Sequence, residues 1–271
     1  MNQQQAENEM GLPAPEGGEV YDAEAEQRIR RISRRSFLWA GATASGTLGG
    51  LWAFNKYAPD DGTGTKTVLR RAHQFNEGVA RRLFAPNRGN APEYSVDRAV
   101  TPRNNYNGNT PEIDLADWRL HLKGSAGNKE QKLTLADIHA LPRVSATTEL
   151  KCVEGWSVLV NWGGARFRDF AEKYPPPPGT KYVSMRSEPE GWEDDWYYVG
   201  LDIESCLHPQ TLLAYEMNGK PLNAEHGAPL RLAIPNKYGI KNIKLITQIT
   251  YEPERPNDYW ADRGYDWYAG L

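Results

Sequence analysis

Short stretches of alternating apolar and polar residues, separated by turn-forming residues, fill the chain from about residue 118 onward. The alternation from Trp118 to Gly124 predicts a half-buried strand, and Val144 to Cys152 and Lys181 to Ser187 are also predicted strands. Short helices are predicted over Leu133 to Pro142 and Phe167 to Tyr174, each followed or ended by proline. Because short strands and helices mix without a repeating strand-helix-strand order, the pattern predicts an α+β domain.

Upstream of this domain, apolar residues recur at helical spacing, at Val68, Leu69, Ala72, Phe75, Val79 and Leu83. The spacing predicts an amphipathic helix that packs by its apolar face, with its arginines on a solvated face rather than on lipid. Asp60 to Gly64 is interpreted as a linker. We therefore assign residues 59–100 to a linker and amphipathic helix, and residues 101–271 to the main domain.

The N-terminal part of the chain has a different character. Met1 to about Ile32 is polar and lacks a stable apolar face, so it is predicted to be a flexible leader. Ser33-Arg34-Arg35-Ser36-Phe37-Leu38 then matches the twin-arginine export pattern, and a weakly apolar stretch from Trp39 to Phe54 follows. Residues 1–58 are thus predicted to be a leader with a twin-arginine signal, either cleaved or retained as a membrane anchor. The alternative is a chance arginine pair before a short buried helix.

Composition narrows the classes of function. The chain has 271 residues and a formal net charge of -3, which gives no electrostatic case for binding nucleic acid. Its 9 tryptophans and 11% aromatic residues indicate a packed globular body. The 2 cysteines cannot build a disulfide framework, although a Cys152–Cys206 bridge is possible in an oxidising compartment.

Cys152 is the main candidate for chemistry, because it follows a predicted strand and precedes the turn Glu154-Gly155. A cysteine in this position has a fixed direction, which suits a thiolate that meets a metal or a substrate from one side. Two alternatives stay open. Cys152 can be a small buried hydrophobe, or it can be the nucleophile of a thiol-dependent hydrolase with His121, His139 or His226 as its base.

Two blocks of sequence carry a more specific signal. The first is Cys152-Val153-Glu154-Gly155-Trp156-Ser157, followed by an apolar run and Trp162-Gly163-Gly164. The second contains His226-Gly227-Ala228-Pro229-Leu230-Arg231 and then Pro235-Asn236-Lys237-Tyr238-Gly239-Ile240-Lys241-Asn242-Ile243-Lys244. In this order the blocks resemble the sulfite oxidase family of molybdenum enzymes, from about Thr101 to the C-terminus. The resemblance implies a mixed β-sheet molybdopterin-binding domain without the C-terminal immunoglobulin-like domain of classical sulfite oxidases.

The resemblance also implies a site that holds one molybdopterin per chain. Cys152 would ligate the molybdenum, and Arg103 and Tyr198 would complete the catalytic set, with Tyr197 as the open alternative to Tyr198. Cofactor contacts are implied for Asn104, Asn107, Gly108, Ser187, His226, Arg231, Asn242, Ile243 and Lys244.

Within this set, cations and backbone donors are implied to face the anionic side of the cofactor. These are Arg231, Lys244 and the backbone amides of Asn242 and Ile243. His226 would bond the edge of the pterin ring.

The function implied is two-electron oxygen-atom transfer at a sulfur centre of the sulfite or sulfoxide type, by an exported enzyme. Arg103 and His226 favour an oxyanion substrate such as sulfite. The segment after Cys152 lacks the extra arginines of sulfite oxidases, which favours the methionine sulfoxide reductase branch, so substrate and direction stay open.

The partners and the location are also expectations from the resemblance and the export pattern. Because no haem domain is recognised, electrons are expected to pass through a separate membrane cytochrome or quinol-linked partner. The chain is expected to be a monomeric catalytic subunit in the periplasm or another extracytoplasmic space. A non-catalytic exported binding subunit of the same fold remains the second alternative.

Overall fold

The computed structural model describes residues 23–60, 65–83, 89–104, 113–127, 130–187 and 197–270, with backbone alone for residues 23–35 and 83. The chain divides into two compact units, residues 1–58 and 59–271. Each unit is described by itself.

The first unit contains helix α1, Ala23–Tyr57. Its start corrects the prediction of a flexible leader up to Ile32, because the alanine, glutamate, glutamine and arginine residues after Ala23 are good helix formers. Residues 1–22 lie outside the described part of the chain. No helix among the described residues is long and apolar enough to cross a membrane.

The second unit begins with helix α2, Thr67–Leu83. Its described strands are β1 Leu120–Lys123, β2 Glu130–Leu133, β3 Arg143–Lys151, β4 Ser157–Arg166, β5 Tyr182–Ser187, β6 Tyr197–Asp202, β7 Leu212–Met217, β8 Lys220–Pro221, β9 Arg231–Ala233 and β10 Gln248–Glu252. Its short α-helices are α3 Leu135–His139, α4 Phe167–Lys173 and α5 Ile203–Cys206. Single 3₁₀ turns lie at Val96–Arg98, Ala224–His226, Gly239–Lys241 and Ala261–Arg263.

The strands form two sheets. The first has the order β2-β1-β10-β5-β6, in which β1 and β10 are parallel and the other pairs antiparallel. The second has the order β3-β4-β7-β8, with β9 paired to β7, and all its pairs are antiparallel. Local hairpins and a mixed sheet without strand-helix-strand repeats make an α+β fold, as the alternating pattern predicts.

Local sequence explains why these elements start and stop where they do. Leu120 and Leu122 alternate with half-buried polar residues in β1 and are themselves fully buried. Thr134 caps α3 and forms a capping box with Asp137. Phe167 and Phe170 place α4 on the same core, since both side chains are fully buried. The predicted strands and short helices are therefore formed close to their expected limits.

Helix α2 is formed as predicted, but the predicted packing face is wrong. Phe75 is 72% exposed and Val68 is 52% exposed. The buried side is charged, because Glu77 is 5% exposed and accepts hydrogen bonds from Arg81 and from Arg255, at 2.9 and 2.5 Å. Charged groups can be buried when they are paired and hydrogen-bonded, and here the C-terminal segment supplies partners that periodicity cannot reveal.

Candidate active site

Cys152 is held by the tight turn that joins β3 to β4. Its backbone N–H donates to the Trp156 carbonyl at 2.9 Å, and the Gly155 N–H donates back to the Cys152 carbonyl at 3.2 Å. Gly155 has φ +86°, a conformation that glycine adopts without steric cost. The strand pairing that ends at Lys151 opposite Ser157 fixes the base of this turn. The position of Cys152 is therefore set by backbone hydrogen bonds on both sides.

The Cys152 thiol is partly buried and is not in a disulfide, since both cysteines are free. Sγ lies 3.8 Å from Oε2 of Glu154, which also accepts a hydrogen bond from the Trp156 indole at 2.9 Å. Burial raises the pKa of the Cys152 thiol, so the thiol form is favoured in the protein alone. A metal ion would have to displace this proton to gain a thiolate ligand.

The segment Lys237–Lys244 packs directly on the Cys152 turn. A Cβ added to Gly239 would lie 3.3 Å from the Lys151 carbonyl oxygen and 3.7 Å from the Cys152 Cα. The same segment contacts β6, because the Tyr197 hydroxyl donates to the Ile240 carbonyl at 2.5 Å. The Cys152 turn and Tyr197 therefore both contact the predicted cofactor segment, at the adjacent residues Gly239 and Ile240.

Two lysines bury their ammonium groups behind this segment. Lys237 Nζ lies 3.3 Å from Asp202 Oδ2 and donates to the Tyr268 carbonyl at 3.0 Å. Lys241 Nζ lies 2.5 Å from Asp258 Oδ2 and donates to the Gly200 carbonyl at 2.9 Å. Their side chains are 2% and 0% exposed, so neither lysine belongs to a basic surface.

Desolvation governs the protonation of the two lysines. Burial lowers the pKa of Lys237 to about 8, with Asp202 opposing the shift, and it lowers the pKa of Lys241 with Asp258 opposing. Each ammonium group nevertheless has a buried carboxylate as a partner, so these lysines link the segment to β6 and to the C-terminal segment.

A second pair of cations consists of Arg231, the first residue of β9, and Lys244, the last residue of the segment, and the charge of Arg231 acts on Lys244. The Arg231 guanidinium donates to the His226 and Asn242 carbonyls, at 2.9 and 3.2 Å, and lies 4.4 Å from the Trp162 ring centroid. Burial and the charge of Arg231 lower the pKa of Lys244 to about 7, with Glu225 opposing. Two partly desolvated cations so close together favour an anion in their neighbourhood.

Lys244 contacts residues that are distant from it in the sequence. Its ammonium donates to the Glu225 carbonyl at 2.7 Å and to Asn104 Oδ1 at 3.1 Å, across 140 positions of sequence. Gly227 has φ +94°, and a Cβ there would lie 2.7 Å from the Lys244 Cβ. Only glycine therefore allows the loop that contains His226 to approach Lys244 so closely.

One ring nitrogen of His226 has no hydrogen-bond partner. Its side chain is 2% exposed, and Nδ1 is buried without a hydrogen-bond partner. Burial, Lys244 and Arg231 lower the pKa of His226, so the neutral ring is favoured. Buried polar atoms in proteins are normally hydrogen-bonded, so Nδ1 is suited to bond a polar group that binds at this site.

The remaining predicted residues are placed as follows. Asn107 and Gly108 lie outside the described residues. Arg103 is exposed and adjoins Asn104. Ser187 is buried at the end of β5, opposite Tyr197.

The tyrosine pair divides between the two faces of β6, since successive side chains of a strand point to opposite faces. The Tyr198 hydroxyl donates to Asp262 Oδ2 at 2.8 Å, whereas the Tyr197 hydroxyl reaches Ile240. Tyr197 therefore contacts the cofactor segment. Tyr198, which the resemblance implies for the catalytic set, contacts Asp262 instead.

Asn242 has structural contacts that limit its predicted role, whereas the contact of Ile243 involves its carbonyl and not the predicted amide. The Asn242 N–H donates to the Gly239 carbonyl, and its side chain bonds Ile234 N and the Tyr238 carbonyl, at 2.9 and 3.1 Å. The predicted cofactor contact through the Asn242 amide is therefore not supported, because the turn uses that donor. Ile243 is buried in the core, and its carbonyl accepts from the Leu232 N–H.

The histidines that a thiol hydrolase would need are engaged elsewhere. His121 contacts Glu130 at 2.9 Å, and His139 packs on the Tyr215 ring at 4.3 Å between centroids. His226 lies in the cation cluster, and a thiol whose pKa is raised is a poor nucleophile.

Comparison with known proteins assigns the class. The family model described as the oxidoreductase molybdopterin binding domain matches residues 107–260. The chain belongs to this family, and it is a molybdopterin-dependent oxidoreductase of the sulfite oxidase type. The family, the α+β fold and the molybdopterin cofactor expected from the sequence are thus confirmed.

Several relatives are similar over much of the chain. A putative protein-methionine-sulfoxide reductase subunit YedZ1 of Azospira oryzae is 36% identical over 89% of this chain and 89% of its own length. The protein-methionine-sulfoxide reductase catalytic subunits MsrP of Campylobacter jejuni and Xanthomonas campestris are 32% and 35% identical, over 69% and 55% of this chain. This chain spans 66% and 49% of their lengths. The sulfane dehydrogenase SoxCD of Paracoccus pantotrophus aligns with a TM-score of 0.48 and 19% identity, over 54% of this chain and 41% of that chain.

The residues present fit molybdopterin. The cofactor brings its own sulfur ligands, so the protein needs to supply a thiolate, cations for the anionic side and donors or acceptors for the ring. Cys152, the Arg231–Lys244 pair and the orphaned Nδ1 of His226 are groups of these kinds. No three His, Cys, Asp or Glu side chains come together as a metal site within the described ranges.

Sequence reasoning missed the two buried lysine pairs and the close approach of Gly239 to Cys152. No local signal marks them, because Asp202 and Asp258 are 35 and 17 positions away from their lysine partners.

Proposed function

We propose that this chain reduces a methionine sulfoxide to the thioether, using two electrons and two protons and releasing one water. The observation that carries the proposal is the similarity over 89% of the chain to a putative protein-methionine-sulfoxide reductase subunit, joined to a site that fits the cofactor. The names of the MsrP relatives point to the same substrate.

The proposed role of each site residue follows from its chemical type. When bound, the cofactor supplies a molybdenum centre that exchanges two electrons and one oxygen atom, which no side chain can do. Cys152 holds the metal as a thiolate, and its turn gives that ligand one direction. Arg231 and Lys244 bind the anionic side of the cofactor, and His226 Nδ1 bonds its ring.

Tyr197 positions the cofactor segment through its bond to the Ile240 carbonyl. Burial strongly raises the pKa of this hydroxyl, so it stays protonated and can only donate or accept a hydrogen bond as a neutral group. We assign the tyrosine of the site to Tyr197, because its hydroxyl and not that of Tyr198 contacts the cofactor segment.

The second candidate is oxidation of an oxyanion such as sulfite. It is favoured by Arg103, an exposed cation beside Asn104 and hence beside the contact with Lys244. In that reaction sulfite gains one oxygen atom from water, and two electrons and two protons leave.

The test begins with molybdenum and pterin content after expression in a molybdate-replete host. We expect about one molybdenum per chain, from the thiolate-bound centre of the family. Cys152→Ala should lose or change the electron paramagnetic resonance signal of that centre. Folded parent protein without molybdenum would overturn the cofactor site.

The substrate and the direction of the reaction are then determined with dyes that donate or accept electrons. Methionine sulfoxide with a reduced viologen tests the reductase, and sulfite with an oxidised dye tests the alternative. Arg103→Gln should lower only the sulfite reaction. Turnover of sulfite alone, lost in this variant, would replace the first proposal by the second.

The location and the electron partner belong to the same proposal. We infer twin-arginine export from the motif at Ser33–Leu38, and a membrane cytochrome or quinol-linked protein as electron donor. Replacing Arg34 and Arg35 by lysine should keep the folded protein in the cytoplasm of the host. Unchanged export of that variant would contradict the signal.

A further inference from the structure

The apolar face of helix α2 is exposed to solvent. With about 3.6 residues per turn, Val68, Ala72, Phe75 and Val79 fall on one narrow stripe of the helix. All of them are exposed, as is Leu69 beside them. A stripe of this kind normally faces a core, and exposed apolar patches mark surfaces that contact a partner or a membrane.

The opposite face of α2 fixes this orientation. The Arg70 guanidinium donates to the Ala261 carbonyl at 3.0 Å, and buried Glu77 pairs with Arg81 and Arg255. Arg81 also lies over the Tyr268 ring, 5.0 Å from its centroid. Several charged contacts would have to break before α2 could roll its apolar stripe inward, so the outward stripe is a built feature of residues 59–271.

The exposed charges of α2 all have one sign. Among its described side chains, the exposed charged residues are Arg71 and Arg82, while the acidic Glu77 is buried. Both arginines border the same side of the apolar stripe. An apolar stripe flanked by arginine is the pattern of a helix that lies in the interface of an anionic membrane.

A second copy of the chain fits this face less well. A two-fold contact would bring the same patch together from both copies, and with it Arg71 and Arg82 twice, with no exposed acidic residue among the described side chains of α2 to balance them. A bilayer with anionic headgroups balances them and also accepts the apolar side chains.

We propose that helix α2 binds the surface of an anionic phospholipid bilayer, with Val68, Ala72, Phe75 and Val79 entering the interface and Arg71 and Arg82 contacting headgroups. The helix has 17 residues, so it lies along the surface and does not span it. The proposal is independent of the reaction and of the export signal, and it would hold the catalytic unit near a membrane redox partner.

The test places an environment-sensitive label on two neighbouring positions of the full-length holoenzyme. Ala72→Cys lies on the apolar stripe, and Gln74→Cys is exposed on the same helix but off the stripe. Each is labelled with nitrobenzoxadiazole. Cys206 is fully buried, and the parent protein treated in the same way gives the background from Cys152.

Vesicles of phosphatidylcholine alone are compared with an equal mixture of phosphatidylcholine and phosphatidylglycerol. With the anionic vesicles we expect a several-fold rise and a blue shift of fluorescence at position 72, and little change at position 74. Arg71→Gln/Arg82→Gln should remove the preference for anionic lipid. Phe75→Ser/Val79→Ser should lower the partition onto vesicles by at least about tenfold, because two apolar side chains are lost.

Each other outcome overturns the proposal. If the protein stays off anionic vesicles, α2 does not bind them. If it binds while the label at position 72 remains in water, another part of the chain is responsible. A label that is already shielded before lipid is added would show that this face is covered by the chain itself or by a second copy.

Discussion

Two pairs of cations lie between Arg231 and Lys244 in the sequence, and they differ in their surroundings. Arg231, Lys237 and Lys241 are buried, whereas Lys244 is half-buried. Lys237 and Lys241 each contact a buried carboxylate, and their charges are largely satisfied by the protein. Arg231 and Lys244 are close enough to interact, and burial together with the charge of Arg231 lowers the pKa of Lys244. The first pair is suited to holding a loop, and the second pair is suited to receiving an anion.

The largest expected effect comes from breaking the satisfied pair. Lys241→Met leaves the Asp258 carboxylate buried without its cation, and we expect the free energy of unfolding to fall by about 3–5 kcal/mol. Denaturant unfolding measures this loss. Lys241→Met/Asp258→Asn is the matched control and should lose less, because it leaves no unpaired buried charge. Its single amide oxygen can still accept from one of the two N–H groups, of Gly200 and Ala261, that donate to the two Asp258 oxygens. A single variant as stable as the parent would mean that this pair does not hold the loop.

The second pair is tested by pH. The pKa of Lys244 in the cofactor-free fold is about 7, against an ordinary value of 10.5. Between these values the unfolded chain binds more protons than the folded one, so stability rises with pH. The slope is at most about 1.4 kcal/mol per pH unit, the limit for one proton.

Unfolding of the cofactor-free protein, measured from about pH 7 to below pH 10, checks this slope before tyrosines ionise in the unfolded chain. Lys237 has a pKa of about 8 and adds to the slope, so the decisive quantity is the difference between the parent and Lys244→Met. The exposed Lys220→Met variant is the control. Equal slopes in the parent and Lys244→Met would contradict the lowered pKa of Lys244.

A smaller effect separates the two tyrosines beside these pairs. Tyr197→Phe removes the bond to the Ile240 carbonyl, and we expect about a tenfold lower kcat/KM, as for residues that orient a metal site. Tyr198→Phe removes only the bond to Asp262 and should change kcat/KM little. Steady-state kinetics with a dye as electron donor measures both. The reverse order would return the role to Tyr198.

The smallest effect is expected at an ion pair that water can reach. Arg143 and Glu216 form a short pair across β3 and β7, but the Arg143 side chain is 51% exposed. Arg143→Met should cost less than about 1 kcal/mol, because solvent screens the pair. Denaturant unfolding beside Lys241→Met makes the comparison direct, and a loss as large as that of Lys241→Met would show that exposure is not the deciding variable.

Much of the fold follows from short-range pattern. The alternation around Leu120 and Leu122 predicts β1, and the proline after Lys173 and Tyr174 marks the end of α4. The turn after Cys152 is also local, since Gly155 accepts the positive φ that the turn requires. The sequence names candidate site residues one by one, and their roles stay predictions. It could not choose between Tyr197 and Tyr198, because that choice depends on the residues that each face of β6 contacts.

The sequence by itself determined the strands β1, β3 and β5, the short helices α3 and α4, the cysteine turn and the family, because these depend on residues close together in the chain. The tertiary structure alone decided which face of α2 is buried, which lysines are buried with a carboxylate partner, and how Asn104 meets Lys244. The physical reason is that burial of a charge depends on a partner within a few ångströms. That partner is 191 positions away for Arg70 and 140 for Lys244, where no periodicity connects them.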